Sequence, residues 1–139
     1  MARPAVPFSR LVDSLGNIAR EWRDFLVPAI AEWGPAGNGI VFTSAVGTFV
    51  RRGQQVDVYF DVTWPVTGDG SPARVAGFPH PVGARHGGLT VAYTDQGAAL
   101  SVVAQPNVAY AELFSFGGVR LTNAGLSGKR LIASGTYLL

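Results

Sequence analysis

The stretch from Gly47 to Trp64, GTFVRRGQQVDVYFDVTW, alternates apolar and polar residues with a period of two. Such a pattern predicts a half-buried β-strand, with Val56, Val58, Phe60, Val62 and Trp64 on one face and Asp57, Tyr59, Asp61 and Thr63 on the other. The first set faces a core. Arg51-Arg52-Gly53-Gln54 carries turn chemistry, so Gly47 to Arg52 is expected to fold back on Gln55 to Trp64 as a hairpin.

Further short β-type runs flank this hairpin: Ile40 to Ser44, Ala73 to Ala76, Leu89 to Tyr93, Leu100 to Gln105, Val108 to Phe116 and Lys129 to Leu138. Turn-forming stretches such as TGDGSP, TDQGA, QPN and TNAG separate them, with no intervening helical pattern. Many short strands at this spacing predict a mainly β fold, an antiparallel β-sandwich or jelly-roll-like head. Upstream the period changes. Phe8, Leu11, Leu15, Ile18, Trp22 and Phe25 recur at spacings of three and four, which predicts one short N-terminal α-helix, ended or kinked by Pro28. An isolated helix of about 15 residues is marginal in water, so association must hold it. EWGPAGNG marks a hinge, with Trp22 and Trp33 as helix-face and hinge anchors. The expected division is residues 1–33, a helical assembly and attachment segment, and 34–139, the β-sandwich head.

Of the 139 residues, 47% are hydrophobic and only 14% are charged, against roughly a quarter charged in an ordinary domain. Part of the surface is therefore expected to be covered by another chain. A net charge of +2 with dispersed basic residues argues against nucleic-acid binding. No apolar run is long enough to insert across a membrane. The absence of cysteine removes thiolate metal sites and cysteine nucleophiles.

GTFVRRGQQVDVYFDVTW, followed by a Gly- and Ser-containing turn and then ARVAGFPHPV, resembles the β-rich domain of tailed-phage tail fibres and other virion fibre (receptor-binding) proteins. The pattern in that family is Gly-x-aromatic-x-Arg-x-Gly-x-x-Val opening a long strand, then a Gly-Leu-Pro-like corner, where this chain has Phe78. WGP at Trp33 to Pro35 and LIASGTYLL at Leu131 to Leu139 also resemble the family's entry and exit. The resemblance spans roughly residues 33 to 139 and leaves out the N-terminal helix. It implies a bacteriophage virion structural protein, a homotrimeric fibre component involved in host attachment and made in the host cytoplasm. Its partners would be its own copies, other virion proteins and a host surface glycan. Two alternatives stay open: capsid or baseplate decoration by the same fold without host recognition, and a small carbohydrate-active enzyme.

Gly47 and Gly53 bracket the first strand of the hairpin, where positive φ is expected, and Pro79 suits the corner where a strand leaves the sheet. The motif thus specifies fold, and no residue in it is expected to be catalytic. Asp57 and Asp61, four apart on one face, would have α-carbons roughly 13 Å apart, a poor match to the carboxylate spacings of glycosidases, about 5 Å or 6.5–9.5 Å. His80 and His86 are read as loop histidines rather than metal ligands, and no cofactor is expected. Exposed aromatic rings with neighbouring amides and carboxylates suit sugars. The candidate receptor contacts are accordingly Tyr59, Tyr93, Asp95, Gln96, Asn107 and Tyr110, and the trimerisation and attachment residues are Phe8, Leu11, Leu15, Ile18, Trp22 and Phe25. The face assignment of the central strand has a direct test. Val58→Asp forces an unpaired carboxylate into the core and should abolish soluble folded protein; recovery of a normal circular-dichroism spectrum and melting transition would overturn the assignment.

Overall fold

The computed structural model describes residues 29–139. The expected helix, with Phe8, Leu11, Leu15, Ile18, Trp22 and Phe25, lies outside the described residues. The described chain is mainly β, a single eight-stranded antiparallel sheet. Its strands are β1 (Ala31–Trp33), β2 (Ser44–Arg52), β3 (Gln55–Thr63), β4 (Arg74–Ala76), β5 (Gly87–Thr94), β6 (Leu100–Ala104), β7 (Tyr110–Ser115) and β8 (Arg130–Leu138). A 3-10 turn at Ala124–Leu126 precedes β8. The spatial order is β1-β2-β3-β8-β5-β6-β7-β4.

The sheet is organised around β3, which pairs along its whole length with β2 on one side and β8 on the other. Val56, Val58, Phe60 and Val62 are buried, as is Trp64 just beyond the strand, while Asp57, Tyr59, Asp61 and Thr63 point outward. The alternation read from the sequence is therefore a real division between core and outer face. Arg52 lies opposite Gln55, so the β2–β3 turn consists of Gly53 and Gln54, with Gly53 at φ +62° and the Arg51 Nε donating to its carbonyl. Gly at the first position of a two-residue hairpin turn matches the twist of the strands.

Gly47 is required for a different reason from the one expected. Its φ is not positive; instead the Trp33 indole lies on it, and a Cβ there would stand 2.6 Å from the ring. Trp33 Nε1 donates to the carbonyls of Thr48 (3.1 Å) and Tyr59 (3.3 Å), and the ring packs edge-on against Phe60 and Phe78. Phe78 in turn stacks on Tyr137, with centroids 5.3 Å apart.

Two local expectations change. The run Ile40 to Ser44 is not a strand; only Ser44 belongs to β2. Its alternation reports burial of Phe42, which packs edge-on against Trp64, rather than ladder pairing. Conversely, Ala31–Trp33 is a strand hydrogen-bonded to β2, so the sheet takes in residues on the N-terminal side of the 33/34 division, and Trp33 is a core residue rather than a hinge anchor. Beyond Trp33 the same stretch reaches the opposite edge of the sheet, where Ala36 and Ala76 exchange two backbone hydrogen bonds of 2.9 and 2.8 Å. Gly77, at φ +82°, lets the Gly34 carbonyl approach where a Cβ would stand 2.8 Å away. The sheet thus curls until its first and last strands are joined by one short piece of chain.

The contact between Trp33 and Gly47 can be isolated by a double-mutant cycle. Gly47→Ala should cost about 1–3 kcal/mol by overpacking in the natural chain and much less in a Trp33→Ala background, where the clashing ring is gone. Urea denaturation gives both values, and equal costs in the two backgrounds would sink the assignment.

Candidate functional site

One polar part of the outer face lies on β3, β8 and β5. Strand register sets Tyr59 beside Ser134 and Thr90 in one row across these strands, and Asp61 beside Ile132 and Tyr93 in the next. A register irregularity between Val91 and Tyr93 turns Tyr93 outward, where it is 49% exposed; Tyr59 is 38% exposed. Arg130, at the start of β8, binds the Asp61 carboxylate in a fork, Nε to Oδ1 at 2.9 Å and Nη2 to Oδ2 at 2.7 Å. Its guanidinium also lies 5.9 Å from the centre of the Tyr93 ring. The backbone N–H of Arg130 donates to Asp95 Oδ1 at 2.8 Å, tying the β5–β6 turn to β8. This hydrogen-bonded fork holds the Asp61 carboxyl below the usual carboxylate range and raises Arg130 above its ordinary value. Because both side chains are partly exposed, water screens the pair and it adds little to stability; its greater effect is to hold the guanidinium plane in place.

Asp57 has separate partners. Thr136 Oγ1 donates to its Oδ1 at 2.7 Å and Gln55 Nε2 at 3.1 Å, with the Arg52 Nε 3.9 Å from Oδ2. The hydrogen bond from Thr136, then that from Gln55, lowers its carboxyl below the usual range, and Arg52 acts in the same direction. Beside it, Ile30, Thr48, Val50, Tyr59 and Thr136 help line an open depression of about 490 Å³ on the outer face. A glycosidase acid must hold its proton near neutral pH through a raised pKa. Asp57 and Asp61 are both shifted the other way.

Of the six candidate receptor contacts, the structure brings together Tyr59, Tyr93 and Asp95. Gln96 stands in the same turn as Asp95, its backbone N–H donating to Thr94 Oγ1. Asn107 does not join them. It sits in the β6–β7 turn at φ +63°, its N–H shared between the Val82 and Gly83 carbonyls, both at 3.0 Å, which is a structural role. Tyr110 is on β7, two strands beyond β5, half-buried under the Arg74 guanidinium at 4.5 Å. That part of the outer face has its own centre in Glu112, 4% exposed, with Oε2 2.9 Å from Arg120 Nε and 3.8 Å from Arg74 Nε.

Sequence reasoning missed Arg130, Glu112 and Asn123. Asn123 is fully buried: Oδ1 accepts from Trp64 Nε1 at 3.0 Å, and Nδ2 donates to the Asn38 carbonyl and Asp69 Oδ2, both at 2.8 Å. TGDGSP is thus a turn built around a hydrogen-bonded Asp69, as its composition indicated. Asn123 and Arg130 had no local signal, since their partners Trp64 and Asp61 lie 59 and 69 residues away.

Among the described residues no group of three or more His, Asp or Glu side chains could hold a metal, and no helix is long and apolar enough to cross a membrane. The chain matches no protein-family model, no curated protein and no solved structure.

His80 packs edge-on against Phe49 at 5.9 Å, its backbone carbonyl accepting from the Tyr137 hydroxyl at 2.7 Å. Burial, reinforced by Arg51, lowers the His80 pKa, and burial pushes Tyr137 up to about 12. In both cases the folded state disfavours the charged form. Stability is therefore lost as pH falls below about 6.5 through His80, and as pH rises above about 10 through Tyr137. The Tyr137 shift corresponds to roughly 2–3 kcal/mol withdrawn between pH 10 and 12. In thermal melts read by circular dichroism, Tyr137→Phe should be less stable at pH 8 and should lose much less stability between pH 10 and 12 than the natural chain. An unchanged alkaline slope would contradict the burial argument.

Proposed function

We propose that this chain is a non-enzymatic structural protein of a bacteriophage virion, a homotrimeric fibre component that takes part in host attachment. In this reading the curled sheet is a jelly-roll-like sandwich head, and residues 1–33 assemble it or attach it to the particle. One observation supports it above the others. The pieces of sequence that resemble virion fibre domains are far apart in the chain, yet they meet in one aromatic cluster: Trp33 from WGP, Gly47 and Phe60 from the hairpin, Phe78 from the GFP corner and Tyr137 from the C-terminal run. Residues that resemble a family's motif and also build a common core are the ones expected to specify its fold.

The charge-poor composition and the exposed Ile30, Val46, Tyr59 and Tyr93 on the outer face favour several copies in contact. The lowered carboxyl pKa values of Asp57 and Asp61 favour binding over hydrolysis. A trimer also multiplies weak contacts with a surface, raising attachment strength by roughly 10²–10⁴ without new contacts per site. Light scattering on the full chain should give about three times the 14.6 kDa chain mass, and electron microscopy of labelled virions should place it on tail fibres. A stable monomer would remove the trimer, and labelling confined to the capsid or baseplate would replace attachment with decoration.

A further inference from the structure

The geometry points to a neutral-oligosaccharide site on the outer face of β3, β8 and β5, with Tyr59 and Tyr93 as its two platforms and the Asp61–Arg130 pair between them. The inference deepens the attachment reading, on which it rests for the biological source of the ligand, by naming the surface and the chemical class it takes.

Three features support it. Tyr59 and Tyr93 lie two strands and about two residues apart, so their α-carbons are roughly 12 Å from each other at ordinary sheet spacings. Both are substantially exposed, and the exposed hydroxyl residues Ser134 and Thr90 lie in the row with Tyr59. Aromatic rings offer apolar surface to the C–H faces of sugar rings, while the short hydroxyl side chains leave the surface open to an extended chain.

Second, the polar groups that would contact ligand hydroxyls are already oriented. Asp61 accepts from Nε and Nη2 of Arg130, and among the described residues Arg130 Nη1 makes no hydrogen bond, leaving three N–H donors, two on Nη1 and one on Nη2, on a fixed plane. Asp95, bonded through Oδ1 to the backbone of Arg130, retains acceptor capacity on its other oxygen. Side chains held in place lose little entropy when a ligand binds.

Third, charge selects the class. The face carries Asp57, Asp61 and Asp95 against Arg52 and Arg130, and each arginine is paired to one of these carboxylates. The third acid leaves a small negative excess, so a uronic or sialic acid carboxylate would meet repulsion while a neutral hexose chain would not.

The test uses the full natural chain on an array of neutral and acidic oligosaccharides, followed by calorimetry with the strongest neutral binder. Neutral oligosaccharides should bind in preference to sialylated or uronate-containing ones, and the corresponding monosaccharide should bind at least tenfold more weakly, because it reaches one platform only. Tyr59→Ala and Tyr93→Ala should each weaken binding about tenfold, whereas Tyr93→Phe should keep most of it because the ring face survives. Phe116→Ala, on the distant β7–β8 loop, should leave affinity unchanged. No neutral binder, a preference for acidic glycans, or indifference to both tyrosine substitutions would overturn the site. Its failure is separable from that of the attachment reading, since virion position and trimer mass are measured without glycan. Release of cleaved product would uphold the site and overturn the non-enzymatic reading.

Discussion

The Trp33 indole lying against Gly47 is the contact on which the rest of the sheet depends. It fills the space a side chain would occupy on β2, donates hydrogen bonds to two adjacent strands, and braces Phe60 and Phe78 from the same position. Because Trp33 ends β1 and Ala36 already pairs with Ala76 beside β4, anchoring this ring also fixes where the two edges of the sheet meet. Exposed edges carry unpaired backbone groups that invite association with other strands. Here a short piece of chain occupies both, and the pinned tryptophan keeps it there.

At the other end of the sheet, polar chemistry takes over the same task. Asn123 joins Trp64, Asn38 and Asp69, so loops from three parts of the chain share one buried amide. A buried amide without partners is costly, whereas one with its partners in place specifies a single arrangement. Glu112 differs: it is a buried carboxylate flanked by Arg74 and Arg120, and its Oε2 is held by charge without a hydrogen bond. With the core and loop end held in these ways, the β3–β8–β5 face is free to present a fixed constellation of aromatic and charged groups, as a binding surface requires.

Much of the fold was legible because β-structure writes a period of two into the sequence. The alternation from Val56 to Trp64 correctly separated core from outer face, and Arg52-Gly53-Gln54 marked the turn. The same reasoning misread Ile40 to Thr43, whose alternation came from burying one ring, and overlooked Ala31–Trp33, whose three residues are too few to show a period and are followed by Gly and Pro. Of the candidate site, Tyr59, Tyr93 and Asp95 were visible as polar or aromatic residues on predicted strands and turns. Asn107 and Tyr110 shared that appearance but belong to a turn and to another part of the face.

Sequence alone determined the faces of the central strand, the hairpin and the mainly β character of the fold, because those follow from local periodicity and turn chemistry. The order of the strands was decided only by the tertiary structure. β8 lies between β3 and β5, and this insertion carries Arg130 to Asp61 and sets Tyr59 and Tyr93 on neighbouring rows. Pairing between strands so distant in sequence leaves no periodic trace in either. It arises from closing a curled sheet over one core, where each strand's neighbours are chosen by the packing of the whole.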